Sequence, residues 1–185
     1  MLKQCFHDLA AACAGIEWCL IGAQAAIVYG SRRSTQDIDI SVMIEEALWP
    51  DFLDTLQRFG FVPRRENALV FAQNTRVLLM RHVETKVPID LVLAGPGLEA
   101  LFLERARNIE ILGTAMRVLA PEDLIASKLL AGREHDIDDI RAVIAHQPDL
   151  NIDQLNELLT MFESALDRSD LHSTLKHIFA SLKLR

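Results

Sequence analysis

The 185-residue chain is half hydrophobic and about a quarter charged, enough for one compact core with a small appendage and too little for two full domains. Its net charge of −7 argues against a general binder of duplex nucleic acid, because phosphate neutralisation supplies most of that affinity. No low-complexity run or internal repeat is present. The apolar N-terminal stretch is interrupted by Lys3, His7, Asp8 and Glu17, so neither a signal peptide nor a membrane span is expected, and the expected compartment is cytoplasmic. Cys5, Cys13 and Cys19 lack metal-ligand spacing and read as reduced, packed thiols.

In chain order, residues 2–14 carry Leu2, Phe6, Leu9 and Cys13 at helical spacing. Residues 18–21 read as a short buried strand ending at Gly22, and 23–29 as a helix stopped by Gly30. Residues 36–44 alternate as a strand, and 47–59 form an amphipathic helix. Strands are predicted at 69–72, 76–83 and 87–93, the first two as a hairpin around 73–75. A helix at 98–106 leads to strands at 110–112 and 117–119 with Gly113 at the turn. Beyond Ala120 only helices are predicted, at 121–132, 134–146, 153–166 and 169–182. The expected organisation is an α/β (α+β) domain over 1–119, with a mixed sheet flanked by helices, and a helical subdomain over 120–185.

Charge is unevenly spread. Between Arg58 and Lys86, Arg58, Arg64, Arg65, Arg76, Arg81 and Lys86 outnumber Glu66 and Glu84. Such a patch suits a triphosphate or a short polynucleotide, and equally suits a solvated face. From Glu122 to Asp170 acids outnumber bases.

Asp37-Ile38-Asp39-Ile40 places two carboxylates on one strand face and the isoleucines on the other. Two such carboxylates repel unless a cation lies between them, and a hard divalent ion such as Mg2+ suits oxygen ligands. Asp-x-Asp also occurs in calcium loops, in sugar-nucleotide glycosyltransferases and as two solvated acids. Asp90, inside the apolar run Val87–Leu93, needs an Arg partner, a hydrogen-bond cage or a metal. Three aspartates on two strands are the minimum for two-metal phosphoryl transfer. Gly22, between a strand and a helix, suits close approach of a phosphate, or a simple tight turn.

Together LIGAQAAIVYGSRRSTQDIDI and VPIDLVL resemble the nucleotidyltransferase superfamily that includes DNA polymerase β, and within it small proteins akin to the AbiEii abortive-infection toxins. Gly22 takes the first glycine of that pattern, and Ala23 stands where the family has Gly or Ser. Arg33 and Thr35 take the basic and hydroxyl positions, Asp37 and Asp39 the pair, Asp90 the third acid. Pro121 to Leu129 and Gly132 to Asp139 resemble the family's Lys-bearing helix and Arg-x-x-Asp-x-x-Asp segment, which implies that Lys128 lies near nucleotide phosphates.

The resemblance implies a nucleotidyltransferase that moves a nucleoside monophosphate from an NTP to an acceptor hydroxyl or phosphate. Asp37, Asp39 and Asp90 would be catalytic and hold two Mg2+ ions, with Mn2+ as a substitute; Gly22, Ala23, Arg33, Thr35 and Lys128 would bind nucleotide or phosphate. The helical subdomain would complete the nucleotide cleft. The acceptor stays open among RNA, tRNA, protein and small molecules, with no membrane partner and with a cognate antitoxin or a second copy of the chain as protein partners. The alternative is a catalytically silent nucleotide-binding or regulatory module, one half of a toxin–antitoxin pair. Asp136 and Asp139 share a helix face, so the residue-level expectation there is structural, bonding Arg133 or Lys128. His135 and His146 read as surface residues.

Overall fold

A computed structural model describes residues 2–183. It contains two compact units, one built from the residues up to Gln24 with Thr35–Leu119, the other from Ala25–Ser34 with the residues from Ala120 on.

The first unit is organised on a seven-stranded mixed sheet. Its strands are β1 (Glu17–Ile21), β2 (Ile38–Met43), β3 (Phe61–Pro63), β4 (Val77–His82), β5 (Pro88–Ala94), β6 (Arg107–Ile111) and β7 (Thr114–Val118). Their spatial order is β3-β4-β5-β2-β1-β7-β6. β2 runs parallel to β5 and β1 to β7, while the other neighbours are antiparallel. The alternation of β2 and β5 sets their register. Ile38, Ile40 and Val42, with Ile89, Leu91 and Leu93, are fully buried, and Asp39 and Asp90 turn the other way. Burying each such side chain stabilises by about 1.5–3 kcal/mol, so a one-residue slip that exposed this row would cost far more than any gain at the opposite face.

Helix α1 (Leu2–Ala12) buries Cys5, Phe6, Leu9 and Ala12. Helix α2 (Gly22–Val28) follows β1 without a loop, and its residues from Ala25 on belong to the second unit. A 3-10 turn (Glu46–Leu48) leads into α3 (Trp49–Arg58), which buries Trp49, Phe52 and Leu56. Helices α4 (Ala68–Thr75) and α5 (Leu98–Arg105) complete this unit. The three cysteines are free and buried, and burial pushes the Cys5 thiol up to about 11 and the Cys13 thiol up to about 12.

One sequence expectation is corrected. Residues 69–72 are not a strand, and no hairpin forms around 73–75; the segment is α4, and β4 pairs instead with β3. A four-residue apolar run does not distinguish a strand from a buried helical turn. Here Ala68 and Ala72, four apart, are the buried pair. The side chains of Asn74 and Thr75 donate back to the Val70 and Phe71 carbonyls at 2.8 Å, the i−4 pattern of a helix. Strand β3 escaped notice because it has three residues and ends in proline.

The second unit holds α6 (Pro121–Ala131), α7 (Glu134–His146), α8 (Ile152–Leu166) and α9 (Leu171–Lys183). Pro121 lies in the first turn of α6, where its missing N–H costs nothing. Gly132 ends that helix at φ +64°, its N–H bonded to the Lys128 carbonyl at 3.0 Å. Asn151 caps α8 by accepting from the Gln154 N–H. No described helix is long and apolar enough to cross a membrane.

Candidate active site

The carboxylates of the first unit are gathered by strand pairing. Asp39 and Asp90 are direct partners in the parallel β2–β5 register, and Asp39 also pairs with Ile21 at the end of β1. Residues paired across neighbouring strands project from the same sheet face, so two acids separated by 51 positions become neighbours. Asp37 lies just ahead of β2, two residues before Asp39. It is close enough for its charge to act on Asp90. Burial pushes the Asp90 carboxyl up, Arg64 pulls it down and Asp37 pushes it up, and the net shift is upward.

Gly22 makes room for this arrangement. It has φ +64°, and a Cβ there would strike Asp39 Oδ2 and lie 3.1 Å from both Asp39 Cβ and Cγ. The glycine of the strand-to-helix turn is therefore required twice, by its backbone and by the carboxylate against it. Ala23 follows it, buried. Thr35 donates its hydroxyl hydrogen to Asp37 Oδ1.

Asp90 has one of the partners expected for it, an arginine. The Arg64 guanidinium donates to Asp90 Oδ1, with both side chains about a third exposed or less. Sequence reasoning placed Arg64 only in the basic patch and did not pair it with Asp90, 26 positions away. Its backbone N–H donates to the Leu79 carbonyl at 2.9 Å, carrying the β3–β4 pairing one residue past Pro63. The other bases of this stretch divide between roles. Arg76 donates to the Leu93 and Ala94 carbonyls at 2.8 and 2.9 Å, and faces the Trp49 ring at 5.7 Å, so it serves the sheet. Arg65 lies over the Phe71 ring at 4.6 Å.

The donor chemistry of Asp37 and Asp39 suits a hard divalent ion, with Gly22 leaving the space that Asp39 occupies. Among the described residues no group of three His, Cys, Asp or Glu side chains closes around one point. The third carboxylate, Asp90, is engaged by Arg64.

Arg33 and Lys128 fall in the second unit, in a buried charge network. Lys128 Nζ donates to Asp136 Oδ1 at 2.9 Å and to Asp139 Oδ2 at 2.7 Å, and the lysine is only 5% exposed. Asp139 also accepts from Ser31 Oγ at 2.7 Å and from Arg33 at 3.1 Å, and Asp136 accepts from Arg133 Nε at 2.7 Å. Burial pushes both carboxyls up, but the hydrogen bonds and charges of these partners outweigh it and hold both below the usual range. The structural reading of Asp136 and Asp139 thus has its partners, while the ammonium expected at phosphates has two of its three N–H groups on carboxylates. Ser31 was passed over in the sequence, and its 108-residue separation from Asp139 leaves no local signal. His135 and His146 are exposed, as expected.

A family model described as a nucleotidyltransferase of unknown function (DUF6036) matches residues 2–179. Among curated proteins there is no match. Solved structures share the fold at low identity. The antibiotic-resistance factor ANT(2'')-Ia in complex with adenylyl-2''-tobramycin is 16% identical with TM-score 0.61, over 89% of this chain and 98% of that one. The solution structure of the same factor is 15% identical with TM-score 0.59, over 97% and 98%. An antigenic nucleotidyltransferase-like protein from Paracoccidioides brasiliensis is 19% identical with TM-score 0.57, over 95% and 92%. The expected fold class therefore stands.

Proposed function

Because the chain belongs to the nucleotidyltransferases of unknown function designated DUF6036, we propose that it moves a nucleoside monophosphate from an NTP to an acceptor hydroxyl or phosphate at Asp37, Asp39 and Asp90. The observation that carries this reading is the pairing of Asp39 with Asp90 across β2 and β5, beside the glycine that admits the Asp39 carboxylate.

Asp37 and Asp39 would hold a divalent ion such as Mg2+, which supplies charge neutralisation for the triphosphate and for the developing negative charge. Thr35 orients the Asp37 carboxylate through its hydroxyl. Gly22 and Ala23 present backbone rather than bulk at the turn beside Asp39. The acceptor oxygen bonds to the α-phosphorus as the bond from that phosphorus to the pyrophosphate oxygen breaks. Asp90, its carboxyl raised by burial and by Asp37, receives the proton that the acceptor hydroxyl gives up. Arg33 and Lys128 act in support, fixing the Ser31–Arg33 stretch to Asp139.

A second reading has one observation in its favour. The Arg64–Asp90 pair is also what a nucleotide-binding module without turnover would contain, with the third carboxylate held by an internal cation.

The test incubates the chain with each α-labelled NTP, Mg2+ and RNA, tRNA, protein or small-molecule acceptors, and scores label transfer. Asp90→Asn should leave NTP affinity within a few-fold while lowering transfer about a hundredfold or more, as for an interaction made chiefly in the transition state. Binding of NTP with no label transferred to any acceptor would instead establish the silent module.

A further inference from the structure

Arg64 stands between two partners. Its backbone is pinned by the hydrogen bond to Leu79, so its Cα is fixed, while its long side chain reaches Asp90 Oδ1. Arg64 also borders an open surface groove at the start of α4. Arg65, Glu66, Asn67, Phe71 and Asn74 line it with Arg64. Two arginines against one glutamate leave the lining net positive. Arg65 Cζ lies 4.6 Å from the Phe71 ring centroid, a cation–π contact that restrains the guanidinium. Among the described residues, no carboxylate forms an ion pair with Arg65.

Resting on the transfer reading above, we infer that the acceptor carries a phosphate group, that Arg64 and Arg65 bind this phosphate at the α4 groove, and that binding draws Arg64 off Asp90. A guanidinium offers five N–H donors in a planar fork, which matches phosphate oxygens in pairs. The carboxylate it leaves is partly solvated, so the exchange does not strand a buried charge. The consequence is an order of events: Arg64 stays on Asp90 until an acceptor is seated, and then turns to the acceptor's phosphate. A polycationic acceptor is disfavoured by the same two arginines.

The phosphate has two sources, a free sugar phosphate or the backbone of a single-stranded RNA. Calorimetry without metal or NTP uses ribose 5-phosphate, a five-nucleotide RNA, and ribose as the neutral control. Ribose 5-phosphate or the RNA should bind and ribose should not, and whichever of the two binds more tightly identifies the source. Arg65→Ala should weaken binding about tenfold, the loss of a charge-assisted contact. Asp90→Asn should strengthen binding about tenfold because it releases Arg64, whereas Asp37→Asn, which removes the same charge without releasing an arginine, should change it less than about twofold. In an Arg64→Ala background the gain from Asp90→Asn should vanish.

The inference is overturned if neither phosphate probe binds, if both arginine variants bind as tightly as the unaltered chain, or if Asp90→Asn and Asp37→Asn strengthen binding equally. Because neither metal nor NTP is present, these outcomes are independent of the transfer reading. Label transfer that persists while the phosphate probes fail to bind removes the acceptor assignment alone.

Discussion

Lys128→Met tests whether the second unit is held by its buried charges. The substitution keeps most of the aliphatic stem and deletes the ammonium that bonds Asp136 at 2.9 Å and Asp139 at 2.7 Å. Both carboxylates are essentially inaccessible, at 0% and 1% exposure, so water cannot replace the lost donor. Removing one partner of such a network costs about 3–5 kcal/mol. Asp136 keeps Arg133, and Asp139 keeps Ser31 and Arg33, which places the expected loss near the lower end, about 3 kcal/mol. For a chain of this length that is a fall in melting temperature of roughly 6–12 °C, read by calorimetry or circular dichroism at neutral pH. Asp139→Asn in the Lys128→Met background should restore part of the loss, because the stranded negative charge is gone. A melting temperature within about 2 °C of the unaltered chain would refute the reasoning that these buried charges hold the unit.

Gly22→Ala should destabilise by about 2 kcal/mol through its left-handed backbone. It should also displace the Asp39 carboxylate that the new methyl would strike, read as loss of Mg2+-dependent NTP binding even in protein that remains folded. Asp39→Asn should keep the fold and weaken that binding about tenfold by removing a charged ligand; equal Mg2+ dependence in variant and parent by calorimetry would reject the metal role. The Asp136 and Asp139 carboxyls sit below the usual aspartate value of 3.8 in the folded chain. Their stabilisation is therefore fully present above that value and is lost as pH falls through their lower folded values. Stability measured from pH 6 down to pH 2 should decline less steeply in Asp136→Asn than in the parent, and parallel curves would contradict the assignment.

The parts legible in the sequence are those where local period and burial agree. The Ile38, Ile40 and Val42 alternation made β2 readable, and the same alternation around Asp90 made β5 readable. Knowing both strands gave the facing of Asp39 and Asp90, though their register came only with the pairing. The i, i+3 spacing of Asp136 and Asp139 gave their shared helix face and their choice of partners. Residues 61–75 failed for the opposite reason. A three-residue strand has no measurable period, and an eight-residue helix with a short apolar run has two compatible ones. Missing β3 meant missing the pairing of Arg64 with Asp90, since the position of Arg64 depends on the hydrogen bond that follows that strand. Ser31 and Arg33 were within reach as residue types, but their meeting with Asp139 spans more than a hundred positions and carries no local mark.

The order of strands has a consequence for how this chain behaves when crowded. A sheet that ends in open edges invites another strand to add, and aggregation begins there. One edge here is β3, three residues long and closed by Pro63, whose nitrogen has no hydrogen to offer. The other is β6, where Arg107 and Glu110 stand exposed and would have to be carried into any new pairing. The two margins are blunted by different chemistry, one by shortness and a missing donor, the other by charge. A substitution such as Pro63→Val would restore a donor at the first margin and make self-association at high concentration the symptom to look for.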